Sequence, residues 1–230
     1  STSPSRAARI KFPICARSRS WPVCEALVSD PTFWELTRGR RSVRRYAARA
    51  VPAELVDKLL EAAHWAPSAH NRQPWRFVVL NDAGLRRQLA EAMAAHWQSD
   101  LLADGADAQQ VSQRAARSIQ RIVDAPLAIL PCLDLDSLDV YPDPLRQQRE
   151  WQMGVQSVAL ACQNLLLAAH SCGLAACWMC APIFCPELVQ ATLDLPAVYE
   201  PQALLTIGYP PDAAPRHAER APLATRVIIR

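Results

Sequence analysis

The chain has 230 residues, half of them hydrophobic, with seven Trp, only six Gly and a fifth of its residues charged; this excludes disordered, collagen-like and low-complexity chains and suits one domain. The net charge of +3 sits in residues 1–30, where Arg6, Arg9, Lys11, Arg17 and Arg19 stand against Glu25 and Asp30. The other 200 residues hold 20 basic and 20 acidic groups, so the basic face of a nucleic-acid binder is missing and no such partner is expected.

Residues 1–30 read as a basic arm, rich in Ser, Arg and Pro and without helical or strand period, either unstructured or draped over a partner subunit; residues 31–230 read as the folded domain. Pro13, Arg17, Arg19 and Pro22 interrupt any apolar stretch a secretory signal would need. From there Phe33–Arg38 is a short helix, and Pro52–Trp65 a better one with Leu55, Val56, Leu59, Leu60 and Ala63 on its apolar face. Ala66–Gln73 is a loop and Trp75–Leu80 a short buried strand. Asp82 caps a helix to about Trp97, Leu101–Gln110 is a polar excursion, and Val111–Val123 is a helix. Leu127–Leu133 is a strand and Asp134–Arg149 an Asp/Pro-rich loop. The helix Trp151–Ser171 stops at Gly173. Strand Leu174–Met179, helix Pro186–Leu193, strand Gln202–Gly208 and a Pro-rich tail ending in extended Arg226–Ile229 complete an α+β chain. The longest apolar region, Val158–Phe184, is broken by Gln163, Asn164, His170 and Ser171, so no membrane span is expected. Reduced thiols in a cytoplasmic protein are the default.

Two stretches carry chemistry. Arg40-Arg41-Ser42-Val43-Arg44-Arg45-Tyr46 puts several guanidiniums and a hydroxyl in a short run able to surround a phosphate dianion; the competing reading is a solvated basic turn. Ala66-Pro67-Ser68-Ala69-His70-Asn71-Arg72-Gln73-Pro74-Trp75 is a polar loop whose Asn and Gln amides, both donor and acceptor, suit a ligand edge that alternates carbonyl and N–H groups; ordinary loop capping competes. Four of the eight cysteines, Cys172, Cys177, Cys180 and Cys185, have spacings that could make a zinc or iron–sulfur site. Leu174, Trp178, Met179, Ile183 and Phe184 between them read as packed interior, which disfavours a metal. His64, His70, His96 and His170 lack metal-ligand spacing and suit structural roles.

Taken in order, the Arg-x-Ser-x-Arg run, a helix about ten residues on, and Ala-Pro-Ser-x-x-Asn-x-Gln-Pro-Trp-x-Phe resemble the FMN-dependent nitroreductase family, from about Trp34 to Leu223. The helix with Gln163-Asn164-Leu165-Leu166-Leu167, then Gly173-Leu174, Cys177-Trp178-Met179 and the strand 202–208, extends the resemblance. Within that family residues 185–210 look most like the nitroreductase-type domain of deazaflavin-coenzyme biosynthesis proteins.

The resemblance implies a nitroreductase-like fold: a central mixed β-sheet packed with helices in an intertwined homodimer. It implies FMN held by Arg40, Arg41, Ser42 and Arg44, with Arg40 at the phosphate and Arg44 at the pyrimidine edge of the isoalloxazine, where a fixed cation favours the anionic reduced ring. It implies that Pro67, Ser68, Ala69, Asn71 and Gln73 cover the flavin of the partner subunit and that Arg121 approaches the cofactor. Cys180 and Ala181 match backbone amides near flavin N5, and Arg220 matches a carboxy-terminal phosphate contact. The second basic position of that contact is Ala218 here, which leaves Arg216 or His217 to substitute. Trp97 and Tyr141, beside the two variable segments, are candidates to stack on a flat substrate. The activity implied is ping-pong hydride transfer from NAD(P)H through FMN to an electron-poor acceptor such as a nitroaromatic or quinone, with no side-chain nucleophile. No Gly-x-Gly-x-x-Gly loop provides a resident nicotinamide domain. Turnover of a deazaflavin precursor, other flavin chemistry on the same scaffold, and a non-enzymatic flavin- or cysteine-metal-binding protein are the alternatives.

Overall fold

The computed structural model describes residues 32–211 and 219–229. The basic arm, and Arg216 with it, lies outside the described residues. In chain order the elements are α1 (Phe33–Gly39), α2 (Ala53–His64), β1 (Trp75–Leu80), α3 (Ala83–Ala103), α4 (Ala108–Val123), β2 (Leu127–Asp134), α5 (Pro144–Ser171), β3 (Ala175–Met179), α6 (Pro186–Leu193), β4 (Tyr199–Pro201) and β5 (Leu204–Gly208).

The sheet is organised on β2, which is buried from end to end. An uninterrupted apolar strand needs cover on both faces. Its side chains alternate accordingly: Leu127, Ile129 and Leu133 join a core cluster with Val56 and Leu59 of α2 and Val158 and Leu165 of α5. Ala128, Leu130 and Cys132 join another with Leu89 and Met93 of α3, Ile122 of α4 and Val189 of α6. The result is a helix–sheet–helix sandwich. Strand order is β1-β2-β5-β3, with β4 beside β2, and all four ladders are antiparallel. Parallel pairing, the basis of the expected mixed sheet, is confined among the described residues to one bridge between Ser42 and Ala176 on the outer side of β3.

The helix α5 comes close to β2 because Gly154 has no side chain; a Cβ there would lie 2.8 Å from Leu133 Cδ1 and 2.9 Å from Leu138 Cδ2. Asn164 Nδ2 donates to the Ala62 carbonyl at 3.2 Å and ties α5 to α2. Gly173, at φ 72°, ends α5 as expected.

Two expected loops are shorter than their composition suggests. The polar excursion 101–110 shrinks because α3 runs on to Ala103 and α4 starts at Ala108, with the Asp107 carboxylate accepting from the Gln110 N–H at 2.8 Å. The loop 134–149 ends early because Asp143 caps α5 and Pro144 sits in its first turn, adding seven residues to the helix. The three-residue β4 is an addition. Among the described residues no helix is long and apolar enough to cross a membrane.

Candidate functional site

The arginine run follows α1 as an extended ribbon along the outer edge of β3. Besides the Ser42–Ala176 bridge, the Val43 N–H donates to the Ala176 carbonyl at 3.1 Å. Its far end is fastened by Tyr46, whose hydroxyl lies 2.7 Å from the Val43 carbonyl, 2.9 Å from the Thr206 carbonyl and 2.8 Å from Thr206 Oγ1. Burial pushes the Tyr46 phenol well above its ordinary range, so it stays a neutral hydrogen-bond donor. Tyr46 closes the run in sequence but carries no signal there; it is a positioning residue that only the fold exposes.

This arrangement gathers distant charges. Burial raises the Cys177 thiol, and Arg44, Arg121 and Arg40 oppose the rise, so three of the expected cofactor arginines are within electrostatic reach of one residue of β3. On the α1 side, His170 at the end of α5 is held below its ordinary value by burial and then by Arg40 and Arg41. The Arg41 guanidinium donates to the carbonyls of Arg38 and Arg40, so it shapes the turn. The guanidiniums of Arg40, Arg44 and Arg121 have neither an ion pair nor a hydrogen bond within the described residues. An uncompensated group of guanidiniums is the donor set that a phosphate or another anionic ligand requires. Beside them a cavity of about 240 Å³ is lined by Arg44, Arg45, Arg117, Gln120, Arg121 and Asp124.

Cys180 is exposed at the end of β3 and Ala181 opens the turn after it, next to the same edge. The metal alternative is not supported by placement. Cys172 caps α5, Cys177 is buried in β3, and Cys185 packs in the cluster with α3 and α6. No group of three His, Cys, Asp or Glu among the described residues could hold an ion. Cys132 and Cys162 are buried hydrophobes whose thiols burial pushes up to about 12.

The amide-rich loop is built at the other end of the sheet. His70, Asn71 and Gln73 adopt left-handed φ values of 51°, 55° and 52°, a strained conformation for residues with side chains. Hydrogen bonds within the loop and to distant residues hold it. Ser157 Oγ accepts from the Ala69 N–H at 3.2 Å, Ser68 Oγ accepts from the Gln73 N–H at 3.0 Å, and Arg72 pairs with Asp139. Gln73 Nε2 donates to Asn71 Oδ1 at 3.2 Å. Ser157 had a faint sequence signal, a polar residue beside Val158 on the buried face of a long helix. Pro67 is exposed at the loop's start.

One chain does not bring the two groups together. The ribbon meets β3 at Ala176, on the row of Ile207 and Leu127, whereas Trp75, just after the loop, pairs with Leu133. Six residues along β2 and three strand spacings across the sheet separate them by about 25 Å, at about 3.4 Å per residue and about 4.8 Å per strand. The stacking candidates divide in the same way. Trp97 lies under Arg114 of α4, with the guanidinium 5.0 Å from its ring, while Tyr141 packs under Arg146 and bonds through its N–H to Gln147 near the loop. Arg220 is exposed and makes no ion pair or hydrogen bond with the described residues.

A helix-covered antiparallel sheet with an arginine-rich edge and a separate amide-rich loop fits an oxidoreductase of the nitroreductase type. The chain belongs to the Nitroreductase family, whose model matches residues 37–209. It is 32% identical over 185 residues to a protein from Methanothermobacter thermautotrophicus described as an NADH dehydrogenase/NAD(P)H nitroreductase, covering 80% of each chain. An iodotyrosine deiodinase from Haliscomenobacter hydrossis is 28% identical over 206 residues, covering 83% of this chain and 84% of that one. Among solved structures, a nitroreductase from Desulfovibrio desulfuricans in complex with FMN superposes with a TM-score of 0.67 at 28% identity, over 88% of this chain and 98% of that one.

Proposed function

We propose that the protein is an FMN-dependent oxidoreductase that acts as a homodimer, taking electrons from NAD(P)H and passing them to a small, planar, electron-poor acceptor such as a nitroaromatic or a quinone. The observation that carries this reading is the group of unpaired guanidiniums, Arg40, Arg44 and Arg121, gathered on the β3 edge about 25 Å from the loop that should cover the same ligand. A loop that far away in its own chain can complete the site only from a second copy. The FMN-bound relative and the NAD(P)H nitroreductase relative support the choice of cofactor and donor.

FMN, held by these residues, would supply two-electron redox chemistry between the reduced nicotinamide and the acceptor. The chain's own residues bind and bias. Arg40 and Ser42 would hold the phosphate, with Arg41 fixing the turn between them. Arg44 and Arg121 would stand at the pyrimidine edge, where fixed positive charge lowers the free energy of an anionic reduced ring. Cys180 and Ala181 would offer backbone N–H groups at the end of β3. Pro67, Ser68, Ala69, Asn71 and Gln73 of the partner subunit would exclude water and offer amides to the ring edge. Arg220, and Arg216 with it, would add carboxy-terminal contacts to the phosphate.

The test is the visible spectrum of the purified full-length chain. Flavin bands that bleach under anaerobic NAD(P)H and return with a nitroaromatic are expected, and Arg40→Ala should purify folded and colourless. A wild-type chain that neither carries nor takes up FMN overturns the reading.

A further inference from the structure

Some of the described arginines are paired with a carboxylate or a carbonyl and others are not. Arg72, Arg76, Arg87 and Arg146 each meet a carboxylate, and Arg86 donates to the Leu80 and Asn81 carbonyls at 2.9 and 2.8 Å. Around the cavity at the end of α4, none of the guanidiniums of Arg44, Arg45, Arg117 and Arg121 has an ion pair or a hydrogen bond within the described residues. The one carboxylate on that rim, Asp124, accepts from the Gln120 amide of its own helix.

α4 supplies much of this charge. It carries Arg114, Arg117 and Arg121 and no acidic residue between Ala108 and Val123. Arg117 and Arg121, four apart, project from the same face, so each repels the other without an intervening carboxylate. Arg114 lies one turn further back, over Trp97. Like charges held together around a concavity raise the local potential and favour an anion that can answer them.

The cofactor reading uses only part of this set. Arg44 and Arg121, with Arg40, act electrostatically on Cys177 of β3, whereas Arg45 and Arg117 line the cavity without being used for FMN. We propose that Arg45 and Arg117, which both line the cavity of about 240 Å³, form an oxyanion-recognition site for the small molecule that meets the cofactor, so that the protein prefers reactants bearing a carboxylate or a phosphate. A guanidinium presents a planar fork that pairs two-to-two with either group, and a pair of them discriminates an anion from its neutral isostere better than one. The same chemistry could come from a carboxylated aromatic acceptor or from the phosphates of the reduced dinucleotide. The proposal rests on the flavin reading above.

The experiment uses the full-length flavoprotein with Arg45→Gln, Arg117→Gln and the double variant, and Arg87→Gln, an arginine of α3 already paired with Glu91 and absent from the cavity lining, as control. Acceptors are compared as a matched pair, 4-nitrobenzoate against 4-nitrobenzamide. Donors are compared as NADPH, NADH and the phosphate-free reduced nicotinamide riboside. Flavin content is read from absorbance, and inorganic pyrophosphate and benzoate are titrated calorimetrically. The wild type should favour the anionic member of one series, and each single variant should reduce that kcat/KM ratio about tenfold, the effect of losing one charge-assisted hydrogen bond. Loss in the acceptor pair assigns a carboxylated acceptor, and loss in the donor series assigns the dinucleotide phosphates. The calorimetric signal should disappear in the double variant and persist in Arg87→Gln. Unchanged ratios in both series with flavin retained overturn the proposal. So does flavin loss in either single variant, which would make these arginines part of the cofactor cradle. Should the wild type prove flavin-free, the functional reading fails while the calorimetric titration still decides for or against an anion site.

Discussion

Tyr46→Phe tests the idea that one hydroxyl holds the cofactor ribbon against the sheet. The hydroxyl has a single proton for the Val43 and Thr206 carbonyls and can accept from Thr206 Oγ1, so at most two hydrogen bonds are fully made at a time. At about 1 kcal/mol net each, with the Val43 carbonyl left short of a partner, the expected cost is about 2 kcal/mol. For a chain of this size that is a fall in Tm of about 4–8 °C. If the lost energy acts wholly through the ribbon, the dissociation constant for FMN rises by up to about thirtyfold, the equivalent of 2 kcal/mol. Thermal unfolding followed by circular dichroism gives the first quantity, and flavin fluorescence quenching on titrating apoprotein gives the second. An unchanged Tm would refute the hydroxyl as an anchor. A lower Tm with unchanged FMN affinity would refute the claim that the anchor positions the guanidiniums.

Further outcomes follow from the same geometry. Gly208→Ala should lower the denaturant midpoint without changing the m-value, at about 1–3 kcal/mol for an overpacked core; its Cβ would lie 2.7 Å from Pro126 Cδ and 3.0 Å from Tyr46 Cβ, and a neutral result would mean that the ribbon packs elsewhere. His170 binds its proton less readily in the fold than in the unfolded chain, so its share of stability is intact above about pH 6.5 and drains away as the pH falls from 6.5 through its lowered folded value. Proton NMR should find it titrating below the ordinary histidine value of about 6.5, and His170→Gln should flatten stability against pH in that window; an ordinary titration would contradict its burial and its crowding by Arg40 and Arg41.

Much of this molecule can be read from its residues, and the failures have physical causes. Trp75–Leu80 and Pro186–Leu193 lie where the apolar run and the Pro at a first turn put them. The burial of β2 on both faces follows from its unbroken apolar sequence. The ends of α3, α4 and α5 are less legible. Polar helical turns that touch little of the core carry no apolar period, and only the caps Asp107 and Asp143 mark them. The three-residue β4 is recruited by its neighbour β2 rather than by its own propensity.

At the site, the Arg40–Arg45 run and the Ser68–Gln73 loop stand out in sequence because their residue types are unusual together. Their separation in space does not, since it depends on the strand order β1-β2-β5-β3. Tyr46 and Ser157 act through bonds to residues more than eighty positions away, beyond the reach of local patterning. Arg117 looks like an ordinary surface arginine until the fold sets it beside Arg44, Arg45 and Arg121 around one cavity.

The central claim, that each cofactor site takes its guanidiniums from one chain and its covering loop from another, is tested most directly by a mixed dimer. Arg40→Ala and Ser68→Ala/Asn71→Ala chains, carrying different affinity tags, are co-expressed and the doubly tagged species is isolated. Each variant alone should bind little flavin. In the mixed species one site would carry both defects and the other none, so one tightly bound FMN per two chains and about half the wild-type activity are predicted. A mixed dimer as empty as its parents, or a protein that remains monomeric with FMN fully bound, would contradict the account.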